Sequence, residues 1–101
     1  MKVDVRNASA IIKPDENIDL TNAEQLKEKF LQLVEEENID RIILDFSEVR
    51  KIDSSGLGKL LLFNKIIAEN EGILKIRNVN SDYVREVFAM VNLSEIIDIE
   101  M

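Results

Sequence analysis

The chain predicts an α/β domain: a mixed, mostly parallel sheet of about five strands with covering helices. Three observations predict it. Short apolar and β-branched runs recur from one end of the chain to the other, the first two lie back to back, and the later ones alternate with amphipathic helical stripes. A length of 101 residues and an apolar fraction of 46% are enough for one core, so residues 1–101 are expected to form a single domain.

The elements follow in order. Lys2–Arg6 and Ser9–Lys13 carry β-like patterns on either side of Asn7-Ala8, which predicts an opening hairpin that Pro14 ends. Thr21-Asn22-Ala23-Glu24 has the spacing of a capping box, in which hydroxyl and carboxylate satisfy free N–H groups at a helix start. Ala23, Leu26, Phe30, Leu33 and Val34 then form one stripe, so this helix is expected to run to about Glu36. Arg41–Phe46 contains the buried-strand run Ile42-Ile43-Leu44. A helix opening near Ser54 continues to Gly72, a suitable left-handed C-cap, and Ile73–Arg77 is the next strand. Ser81 caps a third helix whose Val84, Val87, Phe88 and Val91 share a face; Asn92 suits its exit, and Ile96–Ile99 makes the last strand.

Composition narrows the function. No apolar run approaches the roughly 18 residues that cross a bilayer, and the short polar amino terminus is unlike a signal peptide, so a cytoplasmic protein is expected. Without cysteine there is no thiolate chemistry, and without histidine the usual proton shuttle and commonest metal ligand are missing. A net charge of −7, with basic residues scattered along the chain, repels nucleic acid and anionic membranes. An enzyme fares badly as well. A nucleophilic serine needs a base within reach, Lys59 carries no mark of a tuned base, and no spacing singles out a pair of carboxylates. No catalytic residue, metal or cofactor is expected.

Asp53-Ser54-Ser55-Gly56-Leu57-Gly58 is the most informative stretch. It places two hydroxyls and two of the three glycines where a strand hands over to a helix. Glycine inside a helix costs roughly 0.5–1 kcal/mol relative to alanine, so Gly56 and Gly58 imply a close approach to the helix backbone. Ser54 or Ser55 alone reads as an N-cap, and capping does not call for the glycines. Asp19 reads by itself as a solvated loop acid, and Glu35-Glu36-Glu37 as a solvated helix end. On a helical wheel Leu57, Leu60, Leu61, Ile67 and Ala68 share one face, which leaves Leu62, Phe63 and Ile66 on the other. That second face is either the apolar centre of a partner surface or a core arc rotated from this register, with Phe63 inside.

Taken together, these segments resemble the STAS family, whose free-standing members include bacterial anti-anti-sigma factors. The resemblance runs over nearly the whole chain: Ile18-Asp19 ahead of a helix with Ala23 and Leu26, the strand Ile42-Ile43-Leu44-Asp45-Phe46, the motif Ile52 to Gly58, and Val87-Phe88 followed by Val91-Asn92-Leu93. It implies a protein-binding module, not an enzyme. Unphosphorylated, such a module binds an ATP-dependent anti-sigma factor serine kinase and frees a sigma factor for transcription. Phosphorylation of the serine after the aspartate, here Ser54 with Ser55 as the rival acceptor, releases it, and a phosphoserine phosphatase restores it. The partner surface so implied comprises Asp19, Asp53, Ser54, Ser55, Gly56, Leu57 and Gly58, to which the helical wheel adds Leu62, Phe63 and Ile66. The alternative within the family is an unphosphorylated subunit of a signalling scaffold or lipid-transport complex. Two departures stand out. Many members carry a further helix after the last strand, whereas this sequence stops at Met101, which implies apolar surface open to a dimer partner and a monomer or weak homodimer. Glu16-Asn17 also replaces the glycine common before the aspartate loop, which implies a differently shaped loop around Asp19.

Overall fold

Asn7, held at φ 55° in the left-handed region that asparagine tolerates, turns β1 (Lys2–Arg6) back onto β2 (Ser9–Lys13) as an antiparallel hairpin. In the computed structural model, which describes residues 1–100, the chain continues through β3 (Asn17–Ile18), α1 (Ala23–Leu31), β4 (Arg41–Asp45), β5 (Lys51–Ile52), α2 (Ser54–Glu69), β6 (Ile73–Arg77), α3 (Asp82–Met90) and β7 (Asp98–Glu100). The main sheet has the order β1-β2-β4-β6-β7, with every pair after the hairpin parallel. Each parallel step moves one place in the same direction across the sheet. Right-handed crossovers therefore bring α1, α2 and α3 to one face. β3 and β5 form a separate two-stranded parallel ladder, which the sequence reading did not foresee.

The core lies between that face and the helices. Ile12, Ile42, Leu44 and Ile76 from the sheet meet Phe30 and Leu33 from the first helical segment, Leu60, Phe63 and Ile67 from α2, and Val84 and Phe88 from α3. Phe30 stacks on Phe63 with ring centroids 4.3 Å apart and planes 10° from parallel. The stripe Ala23, Leu26, Phe30, Leu33 and Val34 is buried as expected, and the helix ends in one widened π-helical turn, Gln32–Glu36. Ser81 caps α3 through Val84 N–H, and Asn92 leaves it at φ 51°.

Four local expectations are corrected. The capping box does not form: Asn22 occupies the N-cap of α1 without a side-chain cap, the Thr21 hydroxyl donates to Asp19, and Glu24 pairs with Lys59 of α2. The left-handed residue after α2 is Glu71 at φ 58°, not Gly72. Gly72 is needed for space, because a Cβ there would lie 2.5 Å from the Asp40 carbonyl oxygen. The last strand begins at Asp98, since Leu93–Glu95 forms a 3-10 turn whose Leu93 carbonyl accepts from both Ile96 and Ile97.

The fourth correction bears on function. The buried arc of α2 is Gly56, Leu60, Phe63 and Ile67, rotated from the wheel reading. Phe63 is fully buried and Ile66 packs half-buried against the core, whereas Leu61, expected inside, is 42% exposed. Packing at the helix start sets this rotation. A Cβ on Gly56 would lie 2.7 Å from both the Ile18 carbonyl oxygen and the Ile18 side chain, so only glycine lets α2 lie against the β3–β5 ladder. With Gly56 held inward, positions 60, 63 and 67 follow it at helical spacing.

Candidate functional site

The β3–β5 ladder brings two loops together at the carboxyl ends of the parallel strands, and Asp53 ties them. Its backbone N–H donates to Ile18 O at 3.1 Å, continuing the ladder by one bond. Its carboxylate then works in two directions: Oδ1 accepts from Gly56 N at 2.9 Å, which caps α2, and Oδ2 accepts from Leu20 N at 3.2 Å, which holds the loop ahead of α1. The N-cap role that serine was offered is therefore filled by Asp53. Ser54 and Ser55 fall in the first turn of α2, Ser54 exposed and Ser55 half-buried, and neither hydroxyl has a hydrogen-bond partner among the described residues.

Asp19 organises the facing loop. Its carboxylate accepts from the Thr21 hydroxyl and from Thr21 N at 2.9 Å, its backbone N–H donates to Asn22 Oδ1 at 3.0 Å, and its carbonyl accepts from Ala23 N at 2.8 Å. The Thr21 hydroxyl, then the Thr21 N–H, holds this carboxyl below the ordinary range, so Asp19 is ionised at neutral pH. Leu20, fixed between Asp19 and Thr21, points its side chain outward and is 78% exposed. Beside the site the ammonium of Lys59 reaches Glu24 at 2.7 Å and joins α2 to α1. That hydrogen bond, with the charge of Lys27, lowers the Glu24 pKa.

The two glycines of the motif part company here. Gly56 is buried and serves internal packing, so the expectation that it opens backbone to a partner is corrected. Gly58 is exposed, and a Cβ there would meet nothing within 4 Å. Ser54, Leu57, Gly58 and Leu61 recur at i, i+3, i+4 and i+7 along one side of α2; Leu57 is half-buried and the other three are exposed. Leu62 and Ile66 are half-buried on other sides, and Phe63 lies in the core, so these three do not form one open apolar face. Sequence reasoning missed Leu20 and misplaced Leu61. The signal for Leu20 was a leucine between two polar loop residues, outside every periodic stripe; for Leu61 it was the four-residue step from Leu57 on the side of Ser54.

A shallow groove beside the site is lined by Asn17, Asp19, Lys51, Asp53 and the half-exposed Tyr83, among others. Among the described residues no cluster of carboxylates is placed to hold a metal ion, and no helix is long and apolar enough to cross a membrane.

A family model described as the STAS domain matches residues 1–101. An anti-sigma-B factor antagonist of Bacillus subtilis (strain 168) is 32% identical over 102 residues, which is 92% of this chain and 91% of that protein. Among solved structures, a Thermotoga maritima protein described as an anti-sigma factor antagonist superposes with a TM-score of 0.90 at 24% identity, covering 99% of this chain and 85% of that one. The Bacillus cell fate determinant SpoIIAA in its phosphorylated form superposes at 0.77 with 21% identity, covering 99% of this chain and 90% of that one. These structural likenesses establish the fold.

Proposed function

Since the chain belongs to the STAS domain family, we propose that it is a phosphorylation-switched binding module: unphosphorylated, it binds an anti-sigma factor that is an ATP-dependent serine kinase and so frees a sigma factor, and phosphorylation of Ser54 releases it. One observation carries the choice of Ser54. Asp53 performs the capping, which leaves the Ser54 hydroxyl exposed and unengaged at the start of a helix whose outer side continues into Leu57, Gly58 and Leu61. Ser55 is half-buried, which makes it the poorer acceptor.

The partner surface is Asp19, Leu20, Asp53 and Ser54 with that outer side of α2. Leu20 and Leu61 supply its exposed apolar contacts, in place of the buried Phe63. A phosphate on Ser54 adds about −1.5 to −2 charges at neutral pH. They arrive beside Asp53 and Asp19, both of whose carboxylates are already committed to local hydrogen bonds. A partner covering this surface would have to desolvate the phosphate beside two carboxylates. Each 1.4 kcal/mol so lost is a tenfold loss of affinity, so a few kcal/mol convert a tight complex into a bystander.

The test is direct. The protein is incubated with ATP and its cognate kinase, intact mass is measured, and any phosphate is mapped. A single addition at Ser54 is expected, with Ser54→Ala binding the kinase and Ser54→Asp failing to. Equal binding by the two variants sinks the switch and favours an unphosphorylated scaffold subunit.

A further inference from the structure

The crossovers that carry α1, α2 and α3 to one face of the sheet leave its other face without a helix among the described residues. On that bare face Ile11 and Ile43 stand side by side across β2 and β4, and Ile73 lies diagonally beyond them on β6, 51% exposed. Basic residues that look scattered in the sequence converge around these isoleucines. Lys2, Arg6, Lys13, Arg41, Lys75 and Arg77 all project from this face by strand register, six of the 13 cations in a chain of net charge −7. The face carries four carboxylates in return: Asp4, Asp45, Asp98 and Glu100.

Each of those four already has a partner within the chain. Asp4 pairs with Arg6 at 3.5 Å, and Lys75 takes Asp98 at 3.8 Å and Glu100 at 3.1 Å. Asp45 accepts from Ser47 N at 3.0 Å and from Asn78 Nδ2 at 3.2 Å. The cations are less committed. Lys2, Lys13, Arg41 and Arg77 make no ion pair among the described residues, Lys13 acting on Asp45 only through its field, and Arg77 Nε is shielded from water with no acceptor. An apolar strip framed by unpaired cations calls for an apolar strip framed by carboxylates.

We propose that this bare sheet face is a second docking surface, whose occupant is an acidic amphipathic helix of a partner protein. The dimensions suit a helix. Three isoleucines on three adjacent strands span roughly 10 Å, and apolar residues at i, i+4 and i+7 cover about the same length of helix axis. Flanking carboxylates then meet Arg41, Lys13 and Arg77, while the long aliphatic stems of these cations extend the apolar contact. A second copy of the chain is the weaker candidate, because a face with six cations against four carboxylates would meet its own excess of positive charge. The surface lies on the opposite side of the sheet from α2, so it is open whether or not a partner covers Ser54.

The test uses the full chain, isotope-labelled, and an 18-residue synthetic peptide with leucines at i, i+4, i+7 and i+11 and glutamates beside them. The expected result is amide shift changes confined to the outer-face residues of β2, β4 and β6. Replacing the glutamates of the peptide by lysine, or combining Arg41→Glu with Ile73→Glu in the protein, is expected to weaken binding at least tenfold. Both protein positions are exposed, so unchanged melting of that variant separates lost docking from lost folding. The proposal is overturned by no shifts at millimolar peptide, by shifts centred on Ser54, or by equal binding of the lysine peptide. Tighter binding to anionic lipid vesicles than to the peptide, or a dimer in sedimentation whose interface maps to this face, overturns it equally. Phosphorylation of Ser54 by a kinase is read separately, and its success or failure leaves these outcomes unchanged.

Discussion

Replacing Gly58 by alanine should make the domain more stable and the proposed complex weaker. Gly58 is the fifth residue of α2, its φ is not positive, and a Cβ there meets nothing within 4 Å. The new methyl therefore encounters no steric penalty in the free protein, and the substitution removes the entropy cost of a glycine in a helix interior. That gain is about 0.5–1 kcal/mol, or a rise in melting temperature of about 2–8 °C for a domain of this size. In the complex the same methyl stands on the outer side of α2 between Ser54 and Leu61, where a partner's closely packed backbone would have to withdraw. A loss of at least about tenfold in affinity, roughly 1.4 kcal/mol, is expected. Calorimetric melting and titration calorimetry against the cognate kinase measure the two halves. A fall in melting temperature refutes the packing argument. Unchanged affinity alongside higher stability refutes the idea that a partner covers Gly58.

Gly56→Ala is predicted to do the reverse, lowering the melting temperature, because its Cβ would lie 2.7 Å from the Ile18 carbonyl oxygen and 2.8 Å from Ile52; an unchanged melt would contradict the packing of α2 on the β3–β5 ladder. Phe63→Ala should cost about 3–5 kcal/mol in urea unfolding, as for other buried aromatics, whereas Leu61→Lys should stay within about 0.5 kcal/mol and yet abolish kinase binding; the opposite ranking would restore the arc that the helical wheel predicts, with Leu61 inside and Phe63 outside. Asp45 sets a pH dependence. Burial pushes its carboxyl up, but hydrogen bonds from Ser47 N–H and Asn78 and the charge of Lys13 outweigh burial, so its folded pKa lies below the ordinary 3.8. The stability it contributes is therefore fully present above that value and drains away as the pH falls below it toward the folded pKa. Urea unfolding from about pH 5 to about pH 2 should show a shallower decline for Asp45→Asn than for the parent chain, and parallel declines would remove Asp45 from the account.

The elements with long apolar periods were legible from sequence, and the ones defined by single contacts were not. The stripe from Ala23 to Val34 buries what its spacing says it should, and Ser81 and Asn92 bound α3 as their side-chain chemistry predicts; of the run Ile42-Ile43-Leu44 only Ile42 and Leu44 reach the core, while Ile43 stands half-buried on the face that no helix covers. The two-residue strands β3 and β5 have no period to read; only their pairing reveals them. The rotation of α2 was illegible for a related reason. Leucine and isoleucine occupy too much of its circumference for amphipathicity to select an arc, so one steric fact, Gly56 against Ile18, makes the selection. Thr21 shows a third limit. A capping box and an aspartate-centred turn draw on the same hydroxyl, and Asp19, two residues upstream, captured it.

The same contacts decide what a phosphate at Ser54 can do. Asp53 engages Gly56 N–H with one carboxylate oxygen and Leu20 N–H with the other, while its backbone holds Ile18 O, so the helix start and the Leu20 loop are fastened as one unit. Were Asp53 to swing away from a new charge on Ser54, it would uncap α2 and free the loop together. Losing an N-cap costs about 0.5–2 kcal/mol, and the hydrogen bond to Leu20 adds about 0.5–1.5 kcal/mol. A dianion that remains in water escapes that cost altogether, since screening leaves exposed like charges little repulsion to relieve. In the free protein the phosphate should therefore stand in solvent above an unaltered site. Its repulsion becomes expensive only when a partner removes that solvent, so the proposed switch would act in the complex and would require no refolding of the module.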